Sequence, residues 1–271
     1  MMRSLYTAAS GMKTQQMSVD TISNNLANVN TTGYKKERLE FKSLLYETMA
    51  KAGIDKEGNG KPVSLQVGHG VKPVGTVRSY TIGTLQKTDN PLDFAITGAG
   101  FFAIKGQGDG QVYTKDGSFK IALVEDRQML ITSEGYQVLD TNDEPIYFDS
   151  NVDIKKLKIN GDGSFSYMQN DNQPVQLEPR LKVVQFRNVN GLEALGSNLL
   201  RATTSSGEAI SEDDDDEIVK SKIVQGTLEG SNVQVVEEMV NLIVAQRAYE
   251  VSSKAIQTSD DMLSQANNLK R

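Results

Sequence analysis

A seven-residue repeat of mostly apolar residues at each end of the chain constrains its fold more than any other feature. The N-terminal repeat consists of Leu5, Met12, Val19 and Leu26, with Ala8, Gln15, Ile22 and Val29 three residues after each. The C-terminal repeat consists of Val235, Leu242, Tyr249, Ile256 and Leu263, with Met239, Gln246, Ser253 and Asp260 as their partners. These spacings place the side chains on one helix face, so each end is predicted to be a helix.

Helix-breaking residues are nearly absent from both ends. Between Ser4 and Asn30 there is no Pro and a single Gly, and Gly33 is predicted to end the first helix in a left-handed conformation. Neither Gly nor Pro occurs from Ser231 to Arg271. A second C-terminal stripe consists of Val244, Ala248, Val251, Ala255, Met262 and Leu269. Two stripes suit a helix packed on two sides, so the terminal helices pair with each other, dock on a core, or pair and also contact neighbours.

The centre of the chain has the alternation and turn signals of short β-strands. Phe94 and Ile96, and then Phe102 and Ile104, alternate with small or polar residues, as half-buried strands do. Turn signals recur at Gly108-Asp109-Gly110, Asp116-Gly117, Glu134-Gly135, Gly161-Asp162-Gly163 and Asn190-Gly191. Further predicted strands are 128–132, 146–148, 157–159, 164–168 and 181–187. Many short strands with close turns predict an antiparallel β domain.

These patterns together predict an α+β fold, with long terminal helices paired as a coiled coil and a central antiparallel β domain. The predicted domains are a discontinuous helical assembly domain (1–33 plus 231–271), a linker or extended segment (34–74) and the β domain (75–230). Residues 50–62 are rich in Gly and Lys and lack apolar periodicity, which predicts an exposed loop or extended segment.

Composition excludes several functional classes. The formal net charge is -6 and the pI is near 5.0, which argues against a nucleic-acid-binding protein because such proteins usually carry a basic patch. The absence of Cys excludes disulfides and thiolate chemistry, and a single histidine, His69, excludes a site with two imidazoles. No apolar stretch is long enough to span a membrane, and the short apolar run after Arg3 does not resemble a secretory signal. We therefore expect neither membrane insertion nor a cleaved signal peptide.

Motifs that suggest chemistry are incomplete. Gly58-Asn59-Gly60-Lys61 resembles a phosphate loop, but Asp55 and Pro62 stand where the signature requires Gly and Ser or Thr. The acidic run 212–217 lacks the spacing of a calcium loop and is predicted to be a solvated loop. Carboxylates are so frequent that no pair by itself indicates glycoside hydrolysis. We expect no catalytic, cofactor-binding or metal site, and no cofactor.

Polar residues occur within the helical stripes. Asn24, Asn25, Asn28 and Asn30 lie near the end of the first predicted helix, and Gln15 and Gln246 occupy stripe positions. A buried amide that is hydrogen-bonded can fix register and partner number in a helical assembly. The alternative is that these amides cap the helix and face water, and the sequence favours neither.

Several blocks resemble the flagellar rod and hook family of bacterial axial proteins. The N-terminal blocks are Ala9-Ser10-Gly11-Met12 and Ile22-Ser23-Asn24-Asn25-Leu26-Ala27-Asn28-Val29-Asn30-Thr31-Thr32-Gly33-Tyr34-Lys35. The C-terminal blocks are Gly226-Thr227-Leu228-Glu229-Gly230-Ser231-Asn232-Val233, Glu237-Glu238-Met239-Val240-Asn241-Leu242-Ile243 and Gln246-Arg247-Ala248-Tyr249-Glu250. Internal blocks are Leu92-Asp93-Phe94-Ala95-Ile96-Thr97-Gly98-Ala99-Gly100-Phe101-Phe102, Tyr113-Thr114-Lys115-Asp116-Gly117-Ser118-Phe119 and Gly196-Ser197-Asn198-Leu199-Leu200. The residues carried over as family motif are Asn24, Asn25, Leu26, Ala27, Asn28, Gly33, Tyr34, Gln246, Arg247, Ala248, Tyr249 and Glu250.

The resemblance implies a structural role rather than catalysis. It implies a basal-body subunit that polymerises helically into a torque-transmitting rod, with the β domain outside and segment 46–64 distinguishing rods from hooks. The implied self-assembly residues are Leu5, Met12, Val19, Ile22, Leu26, Val235, Met239, Leu242, Tyr249, Ile256 and Leu263. The implied partners are other copies of the chain, neighbouring rod and hook proteins, the flagellar type III export apparatus and the surrounding basal-body rings. The implied location is the envelope or periplasmic side of the basal body.

Within the family, the length and the block 65–74 are most similar to distal rod members. The alternatives are a proximal rod or hook-basal-body paralogue. From other classes, the rivals are a secreted β-rich polysaccharide-acting enzyme and a monomeric adaptor. The repeats at both ends and the missing catalytic constellation favour assembly over both.

Overall fold

The chain forms two compact units in the computed structural model. The helical unit comprises Met1–Ala27, Glu37–Arg78 and Gln234–Arg271, and the β unit comprises Asn28–Lys36 and Ser79–Val233. The structure describes residues 2–50, 52–54, 60–61, 63–106, 108, 110–150, 152–168, 174–213 and 218–268. Leu269 of the second stripe, Gly58 and Asn59 of the phosphate-loop-like motif, and residues 214–217 of the acidic run lie outside the described residues.

Two long helices form where the seven-residue repeats predict them. Helix α1 spans Met2–Ala27 and helix α2 spans Val235–Asn268. Gly33 has the expected left-handed conformation, with φ of +68°, but it lies beyond the end of α1, so its predicted role as the helix cap is wrong. A Cβ at Gly33 would lie 2.8 Å from the backbone N of Asp116, which explains the need for glycine there.

The rest of the helical unit consists of two-stranded antiparallel ribbons. The strands are β1 (Glu37–Ser43), β2 (Tyr46–Ala50), β3 (Gly53–Ile54), β4 (Gly60–Lys61), β5 (Leu65–Gly68) and β6 (Val71–Arg78). The pairs are β1 with β6, β2 with β5, and β3 with β4. Much of the segment predicted as linker or extended chain therefore lies in paired strands, while the predicted domain boundaries remain a prediction.

The described residues of the β unit form sixteen strands and two short 3₁₀ helices. The strands are β7 (Leu85–Lys87), β8 (Phe94–Thr97), β9 (Phe101–Lys105), β10 (Gln111–Thr114), β11 (Phe119–Val124), β12 (Arg127–Thr132), β13 (Tyr147–Asp149), β14 (Leu157–Ile159), β15 (Ser164–Met168), β16 (Pro174–Arg180), β17 (Val183–Gln185), β18 (Glu193–Gly196), β19 (Leu199–Arg201), β20 (Ile210–Ser211), β21 (Lys222–Gln225) and β22 (Thr227–Glu229). The 3₁₀ helices are Ile154–Lys156 and Val189–Gly191.

These strands form one six-stranded sheet, two three-stranded sheets and two ribbons. Their orders are β18-β19-β10-β9-β17-β20, β11-β12-β13, β14-β15-β16, β21-β8 and β22-β7. Every pairing between these strands is antiparallel. The large antiparallel β region, together with the two helices, confirms the predicted α+β class.

The core of the β unit lies on both faces of the six-stranded sheet. Phe102 and Ile104 of β9 belong to one hydrophobic cluster, and Phe101 and Ala103 of the same strand belong to another. All four side chains are fully buried. The prediction of a half-buried strand is therefore wrong for β9, because a central strand covered on both faces takes a continuous apolar run.

Candidate assembly surface

Helices α1 and α2 pack in antiparallel orientation through small and polar side chains. Ser4 Oγ and Ser259 Oγ lie 3.5 Å apart, which brings the start of α1 to the end of α2. A Cβ built on Gly11 would lie 3.4 Å from Ser252 Oγ, so this pair is also opposed. Small side chains at a contact allow two helices to approach closely. These contacts between α1 and α2 therefore lie beside the predicted apolar repeats rather than on them.

Asn25 joins three elements of the helical unit. Its Nδ2 donates to Glu238 Oε2 on α2 at 3.0 Å and to the backbone O of Glu37 at 2.8 Å. Its Oδ1 accepts from the backbone N of Glu37 at 2.9 Å, so the amide pairs with the first residue of β1 as a neighbouring strand would. Asn25 and Glu238 are each 1% exposed. Buried polar groups of this kind require hydrogen bonds, which the Asn25 amide and Glu238 Oε2 provide for each other.

The residues of the predicted stripe on α1 are mostly half-buried. Ile22 is buried, while Leu5, Met12, Val19 and Leu26 are half-buried. Thr14, which is not part of the predicted stripe, is buried, and its hydroxyl donates to the backbone O of Ser10 at 2.6 Å. The stripe is therefore partly covered within the helical unit and partly accessible.

The predicted stripe on α2 divides into two groups. Leu242, Ile256 and Leu263 are half-buried, whereas Val235, Met239 and Tyr249 are exposed. The buried residues of α2 are instead Glu238, Ala245 and Ser259. The seven-residue periodicity is correct for this helix, but the buried face is rotated toward positions that carry small and polar residues.

A second set of large apolar residues on α2 is open to solvent. Its members, spaced at helical intervals, are Val236, Val240, Ile243, Val244 and Val251. Each is more than half exposed, from 54% for Val240 to 76% for Val236. A contiguous exposed apolar surface on a helix usually marks an interaction site. We call this set the outer stripe. Val244 and Val251 also belong to the second stripe predicted from the sequence.

The family-motif residues on the two helices are mostly accessible. On α1, Asn24 and Ala27 are exposed and Leu26 is half-buried, whereas Asn25 is buried; Asn28 is half-buried and lies just beyond the end of α1. On α2, Gln246 is exposed and Ala248 is half-buried. Arg247 Nη1 and Glu250 Oε2 form a surface ion pair at 2.8 Å, and Tyr249 is 41% exposed. Such a pair stabilises a helix little by itself, so its accessible position is the more informative feature.

The motif residues Gly33 and Tyr34 belong to the β unit instead, where a buried ion pair follows them. Gly33 N donates to the backbone O of Glu229, and Tyr34 is 8% exposed. Lys35 Nζ lies 2.5 Å from Glu229 Oε1, and both side chains are nearly inaccessible. Glu229 Oε1 also accepts from the backbone N of Gly83. Sequence reasoning missed this pair, because its partners are far apart in the chain and no local signal links them.

Asn232 completes the same polar cluster at the ends of the β unit. Its Oδ1 accepts from the backbone N of Lys36, and its Nδ2 donates to the backbone O of Ser79 and to Thr81 Oγ1. One side chain thus ties together three passages of the chain. The sequence around Asn232 does not predict this role, because an Asn that follows Gly and Ser is typical of a turn.

Lys115 is a third buried charge of the β unit. Its Nζ donates to the backbone O of Gly98 at 2.8 Å and lies 5.2 Å from the ring centre of Phe101. The pKa of Lys115 is lowered to about 8, chiefly by burial and also by the positive charge of Lys35, while the charges of Glu229 and Glu212 oppose the shift. Burial acts in this direction because it penalises the ammonium form.

The start of the acidic run is not a solvated loop. Glu212 is 6% exposed and accepts from the backbone N of Ser221, from Ser221 Oγ and from Gln185 Nε2, each at 2.7 Å. Asp213 pairs with Arg180 at 3.3 Å. The prediction of a solvated loop is therefore wrong at Glu212, whose carboxylate anchors the chain by the hydrogen bonds that a buried charge requires.

A cavity of about 580 Å³ in the β unit bears on the enzyme alternative. Two of its lining carboxylates, Asp162 and Asp213, share the guanidinium of Arg180. A hydrogen bond from Ser164 lowers the pKa of Asp162, more than its slight burial raises it. A general acid for glycoside hydrolysis requires a raised pKa, so Asp162 is not suited to that role.

Two further features concern metals and membranes. Among the described residues, no group of three or more His, Asp or Glu side chains is arranged to hold a metal ion. His69 lies near one carboxylate, with its Nε2 3.6 Å from Glu47 Oε2 on the neighbouring strand.

Neither described helix is long and apolar enough to cross a bilayer.

Comparison with protein-family profiles gives matches in three parts of the chain. Residues 5–35 match "Flagella basal body rod protein", and residues 224–269 match "Flagellar basal body rod FlgEFG protein C-terminal". Residues 95–167 match "Flagellar hook protein FlgE/F/G D1 domain". The matches thus include most of both helices and a large part of the β unit.

Similar curated proteins align over the whole chain. The chain is 46% identical to "Flagellar basal-body rod protein FlgG" of Borreliella burgdorferi, over 100% of both proteins. It is 37% identical to the protein of that name in Bacillus subtilis, again over 100% of both. It is also 32% identical to "Flagellar hook-basal body complex protein FlhP" of Bacillus subtilis, over 100% of both.

Proposed function

This chain belongs to the flagellar basal-body rod protein family, and we propose that it is a structural subunit of the distal rod, which transmits motor torque to the hook. The observation that carries the proposal is the end-to-end similarity to proteins named for the basal-body rod, at 46% identity in one relative. A mechanical role agrees with a chain whose two long helices leave apolar side chains exposed.

Helical polymerisation would bury the surfaces that the single chain leaves open. The outer stripe and the exposed stripe residues Val235, Met239 and Tyr249 provide apolar area on α2. Burial of apolar surface contributes about 25 cal/mol per Å², so covering these side chains would favour association. In this proposal the half-buried residues Leu242, Ile256 and Leu263 stabilise the helix pair, while the exposed ones contact neighbouring subunits.

The two helices would pair as an antiparallel coiled coil in the assembled rod. The contacts Ser4 with Ser259 and Asn25 with Glu238 support this pairing, because they oppose the start of one helix to the end of the other. We assign the assembly function to residues 1–33 plus 231–271, with 34–74 as the rod-type segment and 75–230 as the outer domain. The family motif residues on α2, Gln246 and Tyr249 among them, would face the rod interior or a neighbouring subunit.

The partners follow from a place in the rod. They are other copies of the chain and the neighbouring rod and hook proteins. We extend the proposal to the flagellar type III export apparatus, through which the subunit would leave the cytoplasm without a cleaved signal peptide. The surrounding basal-body rings would be contacted from the periplasmic side by residues 75–230.

A second candidate is a hook-basal-body paralogue of the same family. The full-length similarity to the Bacillus subtilis protein of that description, at 32% identity, favours it over classes outside the family. The higher identity to proteins named for the rod places it second. Both candidates predict assembly into the axial structure and differ in position along it.

Immunogold labelling of purified hook–basal bodies tests the proposal. Antibody against residues 75–229 should place gold on the rod just below the hook. Gold near the inner membrane would move the chain to the proximal rod, and gold along the curved segment would move it to the hook. Basal bodies without gold, from cells that express the protein well, would refute the axial role.

A further inference from the structure

The face that joins α1 to α2 repeats every seven residues. On α1 the repeat consists of Ser4, Gly11, Ser18 and Asn25, and on α2 it consists of Glu238, Ala245, Ser252, Ser259 and Ala266. Three opposed pairs follow from contacts: Ser4 with Ser259, Gly11 with Ser252, and Asn25 with Glu238. The second pair lies seven residues forward on α1 and seven back on α2 from the first, and the third pair lies fourteen residues beyond the second in the same sense. Ser18 therefore falls opposite Ala245, midway between the second and third pairs.

This repeat does not by itself distinguish one register from the next. A shift of one heptad, about 10 Å along the helix, would oppose Ser4 to Ala266, Gly11 to Ser259 and Ser18 to Ser252. Each shifted pair again combines two small side chains, so close packing is possible in both registers. Only the pair that contains Asn25 changes its chemistry, because Asn25 would then face Ala245 in place of Glu238.

We propose that the Asn25–Glu238 hydrogen bond fixes the axial register of the antiparallel helix pair. In the observed register the buried carboxylate of Glu238 accepts from Asn25 Nδ2 at 3.0 Å. In the shifted register Glu238 loses that donor, and a buried carboxylate that loses a hydrogen bond is costly. Single buried polar residues are known to set register in coiled coils, where they select one alignment at some cost in stability.

The position of Asn25 gives this register a wider consequence. The same amide binds both the backbone N and the backbone O of Glu37, the first residue of β1. Glu37 in turn pairs with Arg78 on β6, with Arg78 Nε 2.7 Å from Glu37 Oε1. Asn25 is thus a positioning residue that aligns α1 with both α2 and the β1–β6 ribbon. A change of register would displace every outward side chain of α2 relative to that ribbon.

Disulfide cross-linking of the full-length chain tests the proposal directly, because the natural protein contains no cysteine. The variant pair Gly11→Cys with Ser252→Cys reports the observed register, and Gly11→Cys with Ser259→Cys reports the shifted one. Disulfides require Cβ atoms about 3.5–4.5 Å apart. Each cysteine pair can therefore form a disulfide in only one of the two registers, because the registers differ by about 10 Å. In the parent chain we expect only the first pair to cross-link.

Glu238→Ala is the decisive background for both reporter pairs, because it removes the interhelical acceptor and leaves the bonds between Asn25 and Glu37. We expect the shifted disulfide to appear and the observed-register disulfide to decrease by a matching fraction. Glu238→Gln is the matched control, since its amide oxygen still accepts from Asn25 Nδ2, and it should retain the parent pattern. Asn25→Ala is a second variant that should reproduce the shift.

Three outcomes would overturn the proposal. If Glu238→Ala and Asn25→Ala both retain only the observed-register disulfide, the short connections at the helix ends set the register. If Glu238→Gln shifts as Glu238→Ala does, the charge of Glu238 matters and the hydrogen bond does not. If neither pair cross-links in the parent chain, the helix pairing itself is refuted. The inference depends on that pairing but not on rod assembly, so a failure to label basal bodies would leave this test intact.

Discussion

The helical unit and the β unit treat their apolar residues in opposite ways. In the helical unit, Ile22 and Ala245 are the buried apolar residues among those described, while the outer stripe and much of the β1–β6 and β2–β5 ribbons remain exposed. The β unit buries two hydrophobic clusters on the two faces of its main sheet. A unit without a core of its own gains little from folding alone, so we expect the helical unit to depend on neighbours and the β unit to be stable by itself.

Truncating the β-unit core should have the largest effect on the stability of the chain. Phe102 is fully buried and its ring lies 5.1 Å from that of Phe119. We expect Phe102→Ala to lower the free energy of unfolding by about 3–5 kcal/mol through lost burial and a cavity. Urea denaturation followed by circular dichroism measures this loss. Leu123→Ala, at an exposed position of the same unit, should change it by less than about 0.5 kcal/mol.

Breaking the buried ion pair of the β unit should come next. Lys35→Met leaves the carboxylate of Glu229 buried without its cation, which we expect to cost about 3 kcal/mol. The double variant Lys35→Met with Glu229→Met removes both charges and should recover most of that loss in the same denaturation experiment. If the double variant is as unstable as the single one, the hydrogen bonds that these side chains make to the backbone of Gly83 and Thr81 matter more than their mutual charge pairing.

The pH dependence of Lys115 should produce a smaller change. Its pKa is lowered to about 8 in the folded state from 10.5, so between these values the unfolded chain binds more protons and stability rises with pH. The contribution of Lys115 to the unfolding free energy should therefore rise by roughly 1–3 kcal/mol from pH 7.5 to 9.5. Below about pH 7 it should stay flat, because Lys115 is then protonated in both states.

Comparison with Lys115→Met isolates this contribution. The unfolding free energy of the natural chain should rise over this pH range, and that of Lys115→Met should lack this rise. Burial also raises the pKa of Tyr113 above its usual value of 10.0. The free energy of unfolding should therefore fall as the pH rises above 10.0, because the unfolded chain then loses the phenol proton more readily than the folded chain does. Measurements should therefore stop at pH 9.5. An equal slope for Lys115→Met and the natural chain would contradict the lowered pKa.

The outer stripe should show the smallest effect on the single chain and a large one on assembly. Ile243→Asp places a charge at an exposed position, so the unfolding free energy should change by less than about 0.5 kcal/mol. In cells, the same variant should fail to build full-length rods, because an unpaired charge would be buried between subunits.

Electron microscopy of purified basal bodies measures the length of the rods that each variant builds. Gln257→Asp, at an exposed polar position of the same helix, should build them normally. Full-length rods from Ile243→Asp would show that the outer stripe is not an assembly surface, and a large loss of subunit stability would show that it is covered within the chain.

Local patterns were sufficient to predict the elements of both units. The seven-residue repeats predicted α1 and α2 because helix periodicity depends only on spacing along the chain. Turn signals and short apolar runs predicted strands such as β14 and β15 for the same reason. The prediction was wrong where a neighbour decided the outcome, as for β9, whose second face is covered by residues distant in sequence.

The sequence by itself therefore determined the α+β class, the two helices, the antiparallel strands and, through its resemblance to a family, the rod. Only the tertiary structure decided which face of each helix is buried, because small residues at Gly11 and Ser252 allow a close approach that hydrophobic periodicity does not reveal. The tertiary structure alone also brought Lys35 to Glu229 and Asn25 to Glu238. Such contacts join residues far apart in the chain, and a buried charge or amide is specified by its partner rather than by its neighbours in sequence.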